Sequence, residues 1–209
     1  MTRTRKVKVK VCGMTRAVDA ALACELGASA VGFVFWSKSP RYVTPAQASA
    51  ITRTLPRHVS RIGVFVNPDQ EEVRETMVEA GLSAVQLHGD ETVQLCDALP
   101  CLVVKAVSVD GPESVEAALG WPDRVTVLLD VHDPVHRGGT GRVVNWDLAA
   151  TVASRRRVFL AGGLTPTNVE AAVVRVCPYG VDLSSGVEAA PGVKDPELLR
   201  GLFAAVDNL

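Results

Sequence analysis

Short runs of β-branched and aliphatic residues alternate with helix-like segments along the 209-residue chain, and this alternation restricts its fold more than any other feature. Each run is followed by a segment rich in alanine with helical spacing of its apolar residues. Strands that alternate with helices predict parallel βα units, and eight such units predict an α/β fold, a closed (β/α)8 or TIM barrel in a single domain over residues 1–209. The predicted strands are Val7–Cys12, Ala30–Phe35, Arg61–Asn67, Ala84–His88, Leu102–Val107, Arg124–Asp130, Arg157–Ala161 and Val181–Ser184.

An open, doubly wound sheet is the alternative arrangement of the same units. Folds of that kind usually place a GxGxxG motif directly after the first strand, where it approaches a dinucleotide. Here the first strand is followed by Cys12-Gly13-Met14, which does not match that motif. The closed barrel is therefore the preferred prediction.

Capping residues indicate where several helices begin and end. We expect a helix over Asp69–Ala80, with Asp69 as the N-cap and Gly81 as the residue that follows the last turn. Three further starts are predicted where a capping residue precedes proline, because proline is favoured at the first helical position. These pairs are Thr44-Pro45, Thr165-Pro166 and Asp195-Pro196.

Composition excludes several classes of function. The formal net charge of −1 offers no basic surface for nucleic acid, and no stretch approaches the roughly 18 apolar residues of a membrane helix. The basic start, residues 1–6, is not followed by an apolar signal core, so we expect no secretion. Five cysteines without a CxxC pair argue against a disulfide framework or structural zinc and favour the cytoplasm. They are Cys12, Cys24, Cys96, Cys101 and Cys177.

The period-two pattern of the strands predicts which side chains enter the barrel. Outward positions pack against helices and should be apolar, whereas polar side chains should face inward near the C-terminal ends of strands, where barrel active sites lie. The predicted inward positions are Lys8, Lys10, Cys12, Gln86, His88, Thr126, Leu128, Asp130, Asp182 and Ser184.

Cys12 and Asp130 form a candidate acid–base pair, because each ends a strand and faces inward. Lys10 lies on the same face as Cys12, and a neighbouring ammonium favours the thiolate that acts as a base or nucleophile. Two structural alternatives remain at this point: Cys12 as a buried packing thiol and Asp130 as a loop anchor.

Glycine-rich loops follow the seventh and eighth predicted strands. They are Ala161–Thr165, with Gly162 and Gly163, and Asp182–Val187, with Ser184, Ser185 and Gly186. Glycines let backbone N–H groups approach an anion, and (β/α)8 barrels often bind phosphate at these two loops. We therefore predict a phosphate site, although two tight turns with positive φ would produce the same glycines.

Other loops at the same rim carry less specific features. Arg41, in the loop after the second strand, suits a planar carboxylate by bidentate pairing, or is an ordinary solvated charge. Residues 131–144 contain Gly138–Gly141 and form either a hinged lid or a surface loop, and His132 and His136 are expected on its surface. His88 and Asp130 lack the spacing of a metal site, so no metal is expected.

Eight short motifs occur in the order typical of one family, and on the predicted strands. They are Lys10-Val-Cys-Gly-Met-Thr15, Lys38-Ser-Pro-Arg-Tyr42, Gly63-Val-Phe-Val-Asn67, Val85-Gln-Leu-His-Gly89, Leu128-Leu-Asp130, Gly138-Gly-Thr-Gly141, Gly162-Gly-Leu164 and Ser184-Ser-Gly-Val-Glu188. In these residues the chain resembles the phosphoribosylanthranilate isomerases of tryptophan biosynthesis over essentially its whole length. One position departs from the family, which usually has Phe-Asp-Trp where this chain has Val144-Asn145-Trp146.

The resemblance implies a cofactor-free Amadori rearrangement of N-(5-phosphoribosyl)anthranilate to 1-(2-carboxyphenylamino)-1-deoxyribulose 5-phosphate. Asp130 would be the general acid that opens the ribose ring, and Cys12 the general base that removes the C2 proton. Arg41 would hold the anthranilate carboxylate, and His88 would also contact the substrate. The phosphate would be bound by Gly162, Gly163, Ser184, Ser185 and Gly186, with Asp182 supporting the loops.

These roles imply ionisation states that differ between the two groups. Asp130 must carry a proton before the ribose ring opens, so we expect burial to raise its pKa. Cys12 should titrate near the free thiol value of about 8.5, or somewhat below it. The implied partner is a phosphorylated small molecule, and neither nucleic acid nor a membrane is expected. The chain would act as a monomer or homodimer in the cytoplasm.

Four other functions compete with this interpretation. The related isomerases of histidine biosynthesis, including dual-substrate forms, usually have Asp at the position of Cys12. They also have a second phosphate loop where this chain has the acidic loop His88-Gly89-Asp90-Glu91. Indoleglycerol-phosphate synthases carry an N-terminal extension. A metal-dependent sugar-phosphate epimerase needs His and Asp ligands. A non-catalytic phosphate-binding barrel would not need Cys12 and Asp130.

Overall fold

The computed structural model describes residues 6–131, 144–207 and 209, and within these ranges eight parallel strands close into a barrel in sequential order. This confirms the predicted (β/α)8 barrel and excludes the open sheet. Every predicted strand is present, with ends shifted by at most a few residues. The strands are β1 Lys8–Val11, β2 Ala30–Val34, β3 Ser60–Phe65, β4 Ala84–Leu87, β5 Leu102–Ser108, β6 Thr126–Asp130, β7 Val158–Leu160 and β8 Gly180–Leu183.

A helix follows each strand and packs on the outside of the barrel. After β8 the chain first forms a 3₁₀ turn, Ser185–Val187, and an antiparallel hairpin of β9 Glu188–Ala190 and β10 Val193–Lys194 before the last helix. The helices are α1 Ala17–Glu25, α2 Pro45–Thr52, α3 Gln70–Ala80, α4 Val93–Ala98, α5 Pro112–Leu119, α6 Trp146–Ala153, α7 Val169–Val176 and α8 Pro196–Asp207.

The predicted alternation of side chains is confirmed. Val127 and Leu129 of β6 pack in the large apolar layer between strands and helices. Leu128 lies instead inside the barrel in a second, smaller cluster with Val104 and Phe159. Because the interior cluster is small, polar side chains occupy part of the remaining interior.

Closure of the barrel pairs its first strand with its last. The β1–β8 register places Lys10 opposite Asp182, and the β1–β2 register places Val11 opposite Val31. Lys10 is fully buried inside the barrel, whereas Lys8 is exposed at the N-terminal end. Sequence alternation therefore assigned the correct face to both lysines.

Three of the four predicted helix starts are confirmed. Asp69 accepts a hydrogen bond from the N–H of Glu72, and Gly81 ends α3 in the left-handed conformation with φ of 63°. Thr44 forms a capping box at the start of α2, and Asp195 caps α8.

The start predicted at Thr165-Pro166 is wrong. Helix α7 begins at Val169, and residues 166–168 form a turn in which Asn168 accepts a hydrogen bond from the N–H of Thr165. Proline suits a turn as well as a first helical position, so the threonine–proline pair did not distinguish the two.

Part of the predicted rim lies outside the described residues. This applies to Gly138–Gly141, to the lid predicted there, and to His132 and His136. Within the described ranges, no helix is long and apolar enough to cross a membrane. The single domain over residues 1–209 stays a prediction.

Candidate active site

One cavity at the C-terminal ends of the strands brings together all ten residues predicted for the site. Its lining also includes Trp36, Gln86 and Leu164, which the sequence did not assign to the site. The ten predicted residues that line it are Cys12, Arg41, His88, Asp130, Gly162, Gly163, Asp182, Ser184, Ser185 and Gly186.

The Cys12 thiol reaches the cavity because the neighbouring strand has no side chain at Gly32. A Cβ atom at Gly32 would lie 2.7 Å from Cys12 Sγ and 3.3 Å from Lys10 Nζ. No carbon atom is tolerated that close to a sulfur, so any larger residue would displace the thiol. Gly32 therefore makes room for the thiol, a role that the sequence did not reveal.

Lys10 connects Cys12 to Asp182. Its ammonium donates a hydrogen bond to Asp182 Oδ2 at 2.7 Å and also interacts with the Cys12 thiol. Burial alone would lower the pKa of Lys10, but the charges of and hydrogen bonds to Asp182 and Cys12 together outweigh burial and raise it. Lys10 is therefore a permanent positive charge beside the thiol, as the sequence predicted.

The expected pKa of Cys12 is nevertheless wrong. Burial raises the pKa of the thiol above its ordinary value, and the opposing charge of Lys10 does not cancel this effect. Burial is the larger cause, and Asp182, which is also buried and shares the same ammonium, adds to it by repelling a thiolate. In the resting site the thiol is therefore protonated at neutral pH.

Asp130 ends β6, which is separated from β1 by β7 and β8 in the closed barrel. Its Oδ1 accepts a hydrogen bond from the N–H of Val131 at 2.7 Å, and its Oδ2 lies 3.5 Å from His88 Nε2. Burial raises the pKa of this carboxyl to about 6, which confirms the predicted direction and cause. A carboxyl with this pKa is a usable proton donor near neutral pH.

Two residues that line this cavity have a buried acceptor atom without a partner among the described residues, Gln86 Oε1 and Asp182 Oδ1. Gln86 also contacts His88, with 3.0 Å between Gln86 Nε2 and His88 Nδ1. Buried acceptors are normally paired, so these two atoms are suited to hydroxyl donors of a ligand. Sequence alternation had placed Gln86 inside the barrel without assigning it a role.

The two glycine-rich loops meet at the rim. Gly162 and Gly163 have positive φ of 74° and 66°. A Cβ atom at Gly186 would collide with the carbonyl oxygen of Leu164, so the second loop packs directly against the first. The glycines are thus required by the turns, and the same turns line the cavity with backbone. Asp182 pairs with Lys10, and among the described residues it accepts no hydrogen bond from either loop.

Arg41 lies at the cavity edge and is paired with Glu188. Its Nε and Nη2 donate to the two carboxylate oxygens at 2.7 to 3.2 Å. Lys194 also donates to Glu188, at 2.7 Å. From the sequence, Glu188 was identified only as part of a motif and Lys194 was not identified at all. The contacts of Lys194 depend on how the chain returns after β8.

In the loop after β4, the carboxylate of Glu91 occupies the N–H groups that could otherwise bind an anion. Glu91 accepts hydrogen bonds from the N–H groups of Asn67 and Gly89 at 2.8 and 2.9 Å, and Lys105 Nζ lies 3.1 Å from its Oε2. The donors that could hold a second phosphate here are therefore occupied.

Taken together, the barrel and its cavity define a class, the (β/α)8-barrel enzymes that act on phosphorylated small molecules by acid–base chemistry. Residues 9–205 match the family described as N-(5'-phosphoribosyl)anthranilate (PRA) isomerase. The chain belongs to this family, which confirms the resemblance drawn from its motifs.

Individual relatives and structures agree with the family. The chain is 49% identical to the N-(5'-phosphoribosyl)anthranilate isomerase of Pelobacter propionicus, covering 93% of this chain and 92% of the relative. For the enzyme of Citrifermentans bemidjiense the identity is 48%, covering 97% and 98%. The crystal structure of the Thermotoga maritima enzyme superposes with a TM-score of 0.90 at 42% identity, covering 97% and 100%.

A second structural relative contains a ligand. It is a phosphoribosyl anthranilate isomerase in complex with reduced 1-(o-carboxyphenylamino)-1-deoxyribulose 5-phosphate. Its TM-score with this chain is 0.87 at 41% identity, covering 97% of this chain and 100% of the relative.

The departure at Asn145 has a structural explanation. Asn145 is the N-cap of α6, and its side chain accepts hydrogen bonds from the N–H groups of Asp147 and Leu148. Asparagine and aspartate are equivalent in this role, so the exchange leaves the helix cap intact.

Proposed function

We propose that this chain isomerises N-(5-phosphoribosyl)anthranilate to 1-(2-carboxyphenylamino)-1-deoxyribulose 5-phosphate in tryptophan biosynthesis, without a cofactor. The observation that carries the proposal is that Cys12 and Asp130 line one cavity together with the glycine-rich loops after β7 and β8. Family membership over residues 9–205 supports the same reaction.

Asp130 acts as the general acid in this proposal. It donates its proton to the ring oxygen of the ribose, the bond from that oxygen to C1 breaks, and the nitrogen lone pair forms the iminium. The pKa of about 6 supports this role, because the carboxyl still carries a proton in a useful fraction of molecules near neutral pH.

Cys12 acts as the general base. The iminium acidifies the C2 proton, the thiolate removes it, and the resulting enolamine tautomerises to the ketone. The buried ammonium of Lys10 stabilises the thiolate while it exists. Since burial raises the thiol pKa, the reactive state has its proton on Asp130 and not on Cys12, and it is a minor tautomer of the resting site.

Substrate binding uses the rest of the cavity. Arg41 binds the anthranilate carboxylate, His88 lies beside the general acid, and the two glycine-rich loops bind the phosphate. The unpartnered oxygens of Gln86 and Asp182 accept hydrogen bonds from sugar hydroxyls.

Specificity for one phosphate follows from the loop after β4. A substrate of the histidine-pathway type would place a second phosphate there, where Glu91 already occupies the N–H donors. We propose that such a substrate is not accepted.

The proposed partners are limited to this phosphorylated small molecule, in the cytoplasm, with neither nucleic acid nor a membrane. The chain acts as a monomer or homodimer, and one structural relative is described as monomers generated from the dimeric enzyme of Thermotoga maritima.

Turnover of N-(5-phosphoribosyl)anthranilate by the purified chain, with and without a chelator, tests the proposal. We expect the same rate in both conditions. Absence of turnover would refute the proposed function, and loss of activity with chelator would point to a metal-dependent sugar-phosphate enzyme. The histidine-pathway substrate, assayed alongside, should not be converted.

A further inference from the structure

The hairpin β9–β10 is an addition that a barrel unit does not need, since the connection from β8 to α8 requires only a loop. The hairpin is nevertheless tightly attached to the first βα unit. Asp19 of α1 accepts a hydrogen bond from the N–H of Lys194 at 3.0 Å, and Thr15 donates to the carbonyl oxygen of Gly192. The hairpin is therefore held beside the end of β1.

Lys194, at the end of the hairpin, has a fully buried ammonium that joins three parts of the site. It donates to the carbonyl oxygen of Cys12 at 2.6 Å, to the carbonyl oxygen of Ser184 at 3.2 Å, and to Glu188 Oε1 at 2.7 Å. A buried ammonium with three acceptors restrains each of them. Lys194 thus links the backbone of the proposed base, the second phosphate loop and Glu188.

Glu188 transfers this restraint to Arg41. Burial alone would raise the pKa of Glu188, but hydrogen bonds from Arg41 and the charge of Lys194 outweigh burial and keep its pKa below the ordinary value. Its ionised carboxylate receives Arg41 Nε at 3.0 Å and Nη2 at 2.7 Å. The aliphatic part of Arg41 packs directly against the backbone of Gly13. A Cβ atom at that position would lie only 2.6 Å from Arg41 Cδ.

The pairing leaves one edge of the guanidinium for a ligand. Arginine has five N–H donors in a planar fork. Glu188 occupies the edge formed by Nε and Nη2, and among the described residues Nη1 has no hydrogen-bond partner, so the edge formed by Nη1 and Nη2 can bind a ligand at the cavity that Arg41 lines. That edge also binds a carboxylate with two parallel hydrogen bonds.

We propose that Glu188 and Lys194 are positioning residues that fix Arg41 for recognition of the substrate carboxylate and tie it to the strand end that carries Cys12. This inference rests on the proposed function of Arg41 and Cys12 and adds a specificity device to it. The distance between the bound carboxylate and the abstracted proton is set by the series Arg41–Glu188–Lys194–Cys12, which runs through contacts of 2.6 to 2.7 Å between successive residues.

A double-mutant cycle on KM for N-(5-phosphoribosyl)anthranilate tests the inference, with Arg41→Met, Glu188→Gln and both changes together. We expect Glu188→Gln to raise KM about tenfold with a smaller effect on kcat. Arg41→Met should raise KM about 100-fold. If Glu188 acts through Arg41, the double variant should equal Arg41→Met, whereas independent effects would multiply to about 1,000-fold.

Lys194→Met provides a second readout. Because Lys194 also holds the carbonyl oxygen of Cys12, this variant should lower kcat as well as raise KM, each by about tenfold. The matched controls are Glu197→Gln, in an exposed ion pair with Arg200, and Lys8→Met, at the N-terminal end of the barrel. Both controls should keep the kinetic constants of the unchanged chain.

The outcomes separate the inference from the function on which it rests. Multiplicative effects in the cycle, or an unchanged KM in Glu188→Gln, overturn the inference while turnover by the unchanged chain leaves the proposed function standing. Absence of turnover by the unchanged chain overturns both. Should Lys194→Met fail to fold, the cycle on Arg41 and Glu188 still decides.

Discussion

At the scale of single residues, the site depends on how Asp130 and Cys12 are protonated. In the resting site the proton is on the thiol of Cys12, whereas the proposed reaction needs it on the carboxyl of Asp130. Burial raises the pKa of Asp130 to about 6 and raises that of Cys12 above its ordinary value. Near neutral pH the carboxyl is therefore mostly ionised and the thiol mostly protonated. The proposed chemistry needs the opposite arrangement, which has the same total number of protons and is populated over the same pH range.

This arrangement predicts a bell-shaped pH dependence of kcat/KM. The rate should rise as pH increases through about 6, where the first of the two protons leaves, and should fall only above the ordinary pKa of a thiol. Steady-state kinetics from pH 5 to 10 measure both limbs. In Asp130→Asn the break near pH 6 should disappear, and the residual rate should keep rising until the thiol of Cys12 ionises. Ionisation of the substrate phosphate would instead leave the break near pH 6 in place. A rate that declines from pH 6 upward would contradict the assignment.

The same burial predicts that Asp130 destabilises the fold at neutral pH. Its folded pKa of about 6 lies above the ordinary 3.8, so its favourable contribution exists at low pH and is lost as pH rises through 6. Asp130→Asn should therefore raise the free energy of unfolding by about 2–3 kcal/mol at pH 8 and by about 1 kcal/mol at pH 4.5.

Urea unfolding at the two pH values checks this stability difference, with the exposed Asp110→Asn as the matched control. The control gives the effect of replacing an exposed aspartate at the same two pH values. An equal gain for Asp130→Asn at both values would show that the change acts through packing and not through ionisation.

Gly32 leaves the space that the thiol of the neighbouring Cys12 occupies. Gly32→Ala should reduce kcat/KM at least about 100-fold, because the new Cβ atom would lie 2.7 Å from Cys12 Sγ. Gly201→Ala in α8 is the control, since its Cβ atom would approach Pro166 no closer than 3.4 Å. The measurement is kcat/KM with circular dichroism of both variants. Normal activity in Gly32→Ala would show that the thiol position is not critical.

The sequence could not have revealed the role of Gly32 or the correct pKa of Cys12. A glycine has no chemistry of its own, and which atom it approaches depends on the pairing of β1 with β2. The pKa of the thiol was expected near the free value, or somewhat below it, because Lys10 is two residues away. The opposing charge of Asp182, 172 residues from Lys10 in the chain, becomes visible only when β8 pairs with β1.

At the scale of helices and strands, local sequence was a good guide where one physical rule applied. Alternation located the strands because outward positions must be apolar, and a cap such as Asp69 located the start of α3. The start of α7 was misplaced because Thr165-Pro166 satisfies both a cap and a turn. The hairpin β9–β10 was not predicted, since its strands are two to three residues long.

The end of α5 and the start of β6 depend on one half-buried side chain, Arg156. Its guanidinium donates to the carbonyl oxygens of Ala118, Trp121, Pro122 and Val125 at 2.7 to 3.3 Å. Arg156→Met would remove all four hydrogen bonds and should lower the free energy of unfolding by about 1–3 kcal/mol.

Chemical denaturation of Arg156→Met measures this loss. Kinetic constants of the folded variant should stay normal, because Arg156 does not line the active-site cavity. The adjacent Arg155→Met, in an exposed pair with Glu116, should change stability by less than about 0.5 kcal/mol. Equal losses for both variants would contradict the assigned role of Arg156.

At the scale of the whole molecule, closure of the barrel is what creates the site. The proposed acid and base come from β6 and β1, the candidate phosphate loops follow β7 and β8, and Lys194 reaches the backbone of Cys12 from 182 residues away. Because the polar ends of parallel strands must converge once the barrel closes, all ten predicted site residues reached one cavity. The ion pairs beneath them could not be predicted, because they depend on the register and on the path of the chain after β8.

The most direct test of the central claim is turnover of N-(5-phosphoribosyl)anthranilate by the unchanged chain, Cys12→Ala and Asp130→Asn, compared at saturating substrate. General acid and base groups typically contribute factors of about 10² to 10⁴. We predict a metal-independent turnover by the unchanged chain and a loss of at least about 100-fold in kcat for each variant. Near-normal turnover by either variant would contradict the pairing of Cys12 as base with Asp130 as acid.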